Sequence, residues 1–247
     1  MTNTSTQSAA DTLIVALDGR DISEARNWAA ACEGIAGWMK VGMTLYYHYG
    51  PVAVEDFLAM GYRIFVDLKL HDIPHQVEGA AYVLGKLGVD MFTVHALGGP
   101  EMMNAAKRAA ERGAAEVGRP APMMVAVTVL TSMADETLHQ VGIGGTTNDE
   151  VGRLAYLAVE NGADGIVCSP QEARLVREVI GEGYAIVTPG IRPSWAGSDE
   201  PDDQARITTP AAALEAGATH LVVGRPITQH IDPMAAARLL VDEIEQV

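Results

Sequence analysis

The chain has 247 residues, 48% of them hydrophobic, and a formal net charge of −15. That length suits one large α/β domain, and no apolar run approaches the roughly 20 residues of a membrane span. The acidic balance argues against non-specific binding to nucleic acid or anionic membranes, but leaves room for a small anionic substrate held by a few local Arg and Lys groups.

Residues 1–11 are small and polar and lack the basic start and apolar core of a secretory signal. They read as a flexible tail ahead of a catalytic domain over 12–247. Cys32 and Cys168 match no metal or redox spacing, which fits a reduced, cytoplasmic protein. Apolar, β-rich runs then recur at 12–17, 38–41, 63–66, 91–94, 123–129, 165–168, 185–187 and 220–223. Between them lie segments with helical apolar spacing at 22–32, 52–60, 77–87, 102–110, 151–159, 172–180 and 210–216. Gly34, Gly61, Gly88, Gly113, Gly162, Gly183 and Gly217 stand where helices would stop and turn into the next strand. Strand–helix alternation implies right-handed βαβ units and a parallel sheet. Eight such repeats predict a single-domain (β/α)8 TIM barrel. The competing open doubly wound sheet favours Gly-x-Gly-x-x-Gly after the first strand, where this chain has Leu17-Asp18-Gly19-Arg20.

In a barrel, polar groups at the C-terminal strand ends share one face. Here those ends supply Asp18, Lys40, Asp67 with Lys69, His95, Thr131 with Ser132, Ser169, Pro189 with Arg192, and Gly224 with Arg225. Each alone has an ordinary explanation: Asp18 could cap a helix, Lys40 could snorkel, and His95 could be a satisfied core histidine. Their common place in the repeat is what points to a site.

The segment Asp67-Leu68-Lys69-Leu70-His71-Asp72-Ile73-Pro74 is the most informative. Alternate strand residues share a face, so Asp67 and Lys69 would point the same way, with Asp72 in the loop beyond. So close a cluster of charges is costly unless paired or solvated. It is either a structural ion-pair network or a reactive centre. At the far end of the repeat, Gly224 and Arg225 suit a phosphate, the Gly by close backbone approach and the Arg by its planar fork. The long polar stretch after Thr188-Pro189-Gly190-Ile191-Arg192-Pro193 is a candidate binding loop, from which Arg192 and Gln204 could reach the same phosphate. With a phosphorylated substrate anchored there, its reacting end faces Asp67 and Lys69. Asp67 would repel an anionic group, its departure as carbon dioxide would relieve the repulsion, and Lys69 would stabilise and then protonate the carbanion. Nothing in this set calls for a metal or a cofactor.

Taken in order, Ala16-Leu17-Asp18, Met39-Lys40-Val41-Gly42, the segment from Asp67 to Pro74, Thr93-Val94-His95, the run from Val127 to Ser132, the run from Thr188 to Pro193 and the run from Val223 to Thr228 resemble the orotidine 5′-phosphate decarboxylase family, with the likeness running from about Leu13 to Val241. The resemblance implies conversion of orotidine 5′-monophosphate to UMP and carbon dioxide without metal or cofactor, by a homodimer on a (β/α)8 barrel. It implies Lys69 as proton donor to C6, Asp67 as the carboxylate facing the substrate's own, and Lys40 as the link between ribose and Asp67. Asp72, with Ile73 beside it, would reach the partner's site. Asp18 and Thr131 would contact the ribose or pyrimidine region, and Ser132 the pyrimidine. Gln204, Gly224 and Arg225 would bind phosphate, with Pro189 and Arg192 at the loop root. Two other readings stay open at this point: a Mg²⁺-dependent sugar-phosphate decarboxylase or aldolase of a related barrel family, and a non-catalytic barrel that senses nucleotides.

Overall fold

The computed structural model describes residues 7–196 and 208–247. Among them, eight parallel strands close into a barrel in sequence order: β1 Leu13–Ala16, β2 Trp38–Gly42, β3 Arg63–Leu70, β4 Met91–His95, β5 Met123–Val127, β6 Gly165–Val167, β7 Ala185–Thr188 and β8 His220–Val223. This is the (β/α)8 barrel that the alternating pattern predicts. Side chains separate by strand parity. Ile14, Trp38, Phe65, Met91, Val125, Val187 and Val222 pack inside the barrel, while neighbours such as Val15, Met39, Ile64, Phe92 and Met124 join the larger core beneath the helices.

Parity fixes the site. Lys40, Asp67 and Thr93 each lie two residues beyond an inward apolar residue, namely Trp38, Phe65 and Met91. They therefore share the inner face and sit above an apolar plug. The helices outside hold the strands in register. Helices Pro74–Leu87 and Gly99–Glu116 pack closely, since a Cβ on Gly85 would strike the Ala110 carbonyl and one on Gly113 that of Tyr82.

Several elements differ from the sequence reading. The third strand runs on to Leu70, because its pairing with β4 jumps from Val66↔Phe92 to Leu70↔Val94 across a bulge. The expected tail boundary at residue 11 falls inside a helical turn, Ala9–Thr12, capped by the Ser8 hydroxyl, with Ala9 and Thr12 buried. An ion pair from Arg63 to Asp11 ties that turn to the base of β3. A helix over Pro233–Glu245 lies beyond the last segment with predicted helical spacing; Asp232 caps it and Pro233 opens it.

Candidate active site

The C-terminal ends of the strands surround a cavity of about 800 Å³, within the range for small-molecule sites. Its floor is apolar, with Ala16, Phe65, Val127, Val167, Val187 and Val222. Its walls carry Asp18, Lys40, Asp67, Lys69, Thr131, Pro189, Arg192, Gly224 and Arg225. The barrel thus collects, from the ends of six separate strands, most of the residues that strand-end position points to.

Four of them form a chain of alternating charge. Lys40 Nζ donates to Asp18 Oδ1 at 2.9 Å and lies 3.6 Å from Asp67 Oδ2. Lys69 Nζ bridges the Asp67 carboxylate, 2.9 Å from Oδ1 and 3.0 Å from Oδ2. Burial alone would discharge Lys40, but Asp18 and Asp67 outweigh it and hold the ammonium above its ordinary pKa. Burial likewise opposes the Asp67 carboxylate, yet Lys40, Lys69 and the Thr93 hydroxyl together hold it below the usual range. Both ions stay charged at neutral pH. Asp18 is the exposed end, with its side chain 59% accessible. Gly42 makes the approach possible, since a Cβ there would sit 2.7 Å from Asp18 Oδ1 and 3.1 Å from Lys40 Nζ.

Lys69 is the one non-glycine residue with positive φ, 52°, among the described residues. Its N–H donates to Thr93 Oγ1 at 2.7 Å, and the same hydroxyl donates to Asp67 Oδ1 at 3.1 Å. Thr93 stands in the Thr93-Val94-His95 motif, where local pattern alone assigns it no role. Its signal was parity, two positions past the inward Met91.

On the opposite wall, Arg192 N–H donates to the Thr208 carbonyl at 2.8 Å and Thr208 N–H to that of Gly190 at 3.2 Å. These bonds join Thr208 to Gly190 and Arg192 beyond the end of β7, and Gln204 lies outside the described residues. Gly224 precedes a helical turn, Arg225–Thr228, and Thr228 and Gln229 join the cavity wall.

Five expected positions stand apart from the cavity. Asp72 and Ile73 lie on the exposed loop after β3, where Asp72 Oδ1 accepts from Ile73 N–H at 2.7 Å and Ile73 is 63% exposed. Ser132 is exposed beside Thr131 and does not line the cavity. Ser169 is a structural cap: its hydroxyl accepts from Gln171 N–H and its own N–H donates to Glu172. His95 stacks on His71 at 5.0 Å, and burial, with lesser effects from His71 and Lys69, lowers its pKa to about 4.

Residues 11–240 match the family model described as orotidine 5′-phosphate decarboxylase / HUMPS family. An orotidine 5′-phosphate decarboxylase of Moorella thermoacetica is 50% identical over 240 residues, covering 97% of this chain and 94% of the relative. One of Heliobacterium modesticaldum is 48% identical over 239 residues, covering 96% and 97%. The crystal structure of the orotidine 5′-phosphate decarboxylase from Lactobacillus acidophilus superposes with a TM-score of 0.81 at 39% identity, covering 94% of this chain and 98% of that one.

Proposed function

The chain belongs to the orotidine 5′-phosphate decarboxylase family, and from that premise we propose how its own residues perform the reaction. The reaction converts orotidine 5′-monophosphate to UMP and carbon dioxide, a step of pyrimidine biosynthesis. The observation that carries the assignment of roles is the alternating row Asp18–Lys40–Asp67–Lys69 at the cavity mouth.

Arg225 and the Gly224 backbone hold the phosphate, with Arg192 and Pro189 at the loop root and Gln204 on the loop itself. Lys40, fixed between Asp18 and Asp67, meets a ribose hydroxyl. Asp18 and Thr131 contact the ribose and pyrimidine, and Ser132 approaches the pyrimidine from the cavity rim. The substrate's C6 carboxylate then lies against Asp67. That repulsion is present in the bound substrate and vanishes as carbon dioxide departs, so it favours the transition state over the ground state. The C6–carboxyl bond breaks and its electron pair stays on C6, where the Lys69 ammonium stabilises it and delivers a proton. Lys69 regains that proton from solvent.

Asp72 and Ile73 complete the site from a second copy of the chain. Support comes from their place on an exposed loop just after β3, three and four residues beyond Lys69 and outside their own cavity. The working unit is then a homodimer with two composite sites. A cytoplasmic location fits Cys32 and Cys168, both free and buried, and none of the described helices is long and apolar enough to cross a membrane.

The Mg²⁺-dependent reading fits less well. Both Asp67 oxygens are held by ammonium groups, and a divalent cation there would sit against two like charges. The fall in ultraviolet absorbance of orotidine 5′-monophosphate, followed in excess EDTA, tests both points. Turnover in EDTA is expected. Turnover abolished by EDTA and restored by Mg²⁺ would replace this mechanism with the metal-dependent one.

A further inference from the structure

Thr93 has no part in the reaction as described, yet it touches both members of the reacting pair. It lies on the inner face of β4 and is 1% exposed. A hydroxyl carries one hydrogen and two lone pairs. Here one lone pair accepts from Lys69 N–H at 2.7 Å, and the hydrogen is directed to Asp67 Oδ1 at 3.1 Å.

Both bonds answer a local need. The β3–β4 register breaks between Val66 and Leu70, so the Lys69 N–H takes a side-chain acceptor from β4 in place of a ladder carbonyl. That acceptor helps hold Lys69 at φ 52°, a conformation that persists only where the surroundings over-determine it. At Asp67, Oδ1 accepts from Lys69 Nζ and Thr93, while Oδ2 accepts from Lys69 Nζ and faces Lys40 at 3.6 Å. Thr93 is the neutral partner that fixes the carboxylate plane from the β4 side. A carboxylate free to turn would swing away from the substrate and dissipate the repulsion that drives the reaction.

We propose that Thr93 is a positioning residue for decarboxylation, its hydroxyl locking the Asp67 carboxylate and the left-handed Lys69 backbone in the geometry the reaction uses. This rests on Asp67 and Lys69 acting on the substrate as assigned above. Three full-length proteins test it: wild type, Thr93→Val, which keeps the shape and removes the hydroxyl, and Thr93→Ser, which keeps the hydroxyl. In T93V, kcat should fall roughly ten- to hundredfold while KM and UMP affinity change little, and T93S should recover most of the lost rate. T93V turning over like wild type would overturn the proposal alone. So would T93V losing UMP affinity and folding along with rate, or T93S failing to recover it, because Thr93 would then be structural. A wild-type protein inert toward orotidine 5′-monophosphate would overturn the underlying assignment and the proposal together.

Discussion

Lys69 clasps both oxygens of Asp67, two residues before it on the same strand, from a left-handed backbone. In a regular strand such residues point the same way but side by side. The bulge between Val66 and Leu70 turns Lys69 so that its ammonium lies over the carboxylate. The ion pair is thus shaped by backbone geometry and is ready before substrate arrives.

Replacing Lys69 with Ala removes the ammonium proposed to donate the proton and leaves Asp67 with Lys40 and Thr93. Turnover should fall by about a thousandfold or more, within the range for a general acid, while UMP still binds. The pairing of steady-state rates with a UMP titration checks this, and near-normal turnover would strip Lys69 of its role.

Arg225 follows β8 and Lys69 lies on β3, and both line the cavity. If phosphate binding there holds the reacting end in place, Arg225→Ala should raise KM and also lower kcat, each by about tenfold or more. A change confined to KM would show that the phosphate contact contributes uniform binding only.

The barrel was legible because every strand is an apolar run ending at a polar group, and Asp18, Lys40, Asp67, Lys69 and Arg225 were legible because strand ends share a face. Thr93 and the bulge were not. A buried Thr two positions along a strand reads as core, and a register shift depends on the partner strand, which local pattern does not contain. Ser169 was misleading for a related reason: a cap and a site residue occupy the same place at a strand end. The last helix, Pro233–Glu245, follows the eighth strand, where the repeat had already been counted as complete.

Because Asp72 lies outside its own cavity, inactive Lys69→Ala and Asp72→Asn proteins should complement each other. In the proposed homodimer, a mixed dimer would hold one site with both native residues, so an equal mixture with free subunit exchange should regain about a quarter of wild-type activity. Confirmed exchange with no recovery would remove Asp72 from the partner's site.

Gly42 gives Asp18 its access to Lys40. In Gly42→Ala the added methyl would meet Asp18 Oδ1 and Lys40 Nζ. Lys40 is buried and Asp18 exposed, so Asp18 is the side chain that moves. Nucleotide affinity should weaken by roughly tenfold with little loss of melting temperature. Unchanged affinity would show that the Asp18–Lys40 bond has no part in binding.

His220 links the barrel floor to acid stability. It packs edge-on against Trp38, hydrogen-bonds Thr219 Oγ1 at 2.8 Å, and lies near Gln7, Arg63 and Asp11. Burial first, then Arg63, lowers its pKa from 6.5 to about 4, against a small opposing effect of Asp11. Between those values the unfolded chain binds a proton that the folded one refuses, so stability is present above about pH 6.5 and is lost as pH falls toward 4. The loss from this one group can reach about 3 kcal/mol. His220→Gln should be less stable than wild type at pH 7, having lost the Trp38 contact, but should lose less on acidification. Urea unfolding of both proteins at pH 7 and pH 4.5 measures the two slopes. Equal slopes would mean that His220 takes up its proton over the same pH range in the folded and unfolded chains.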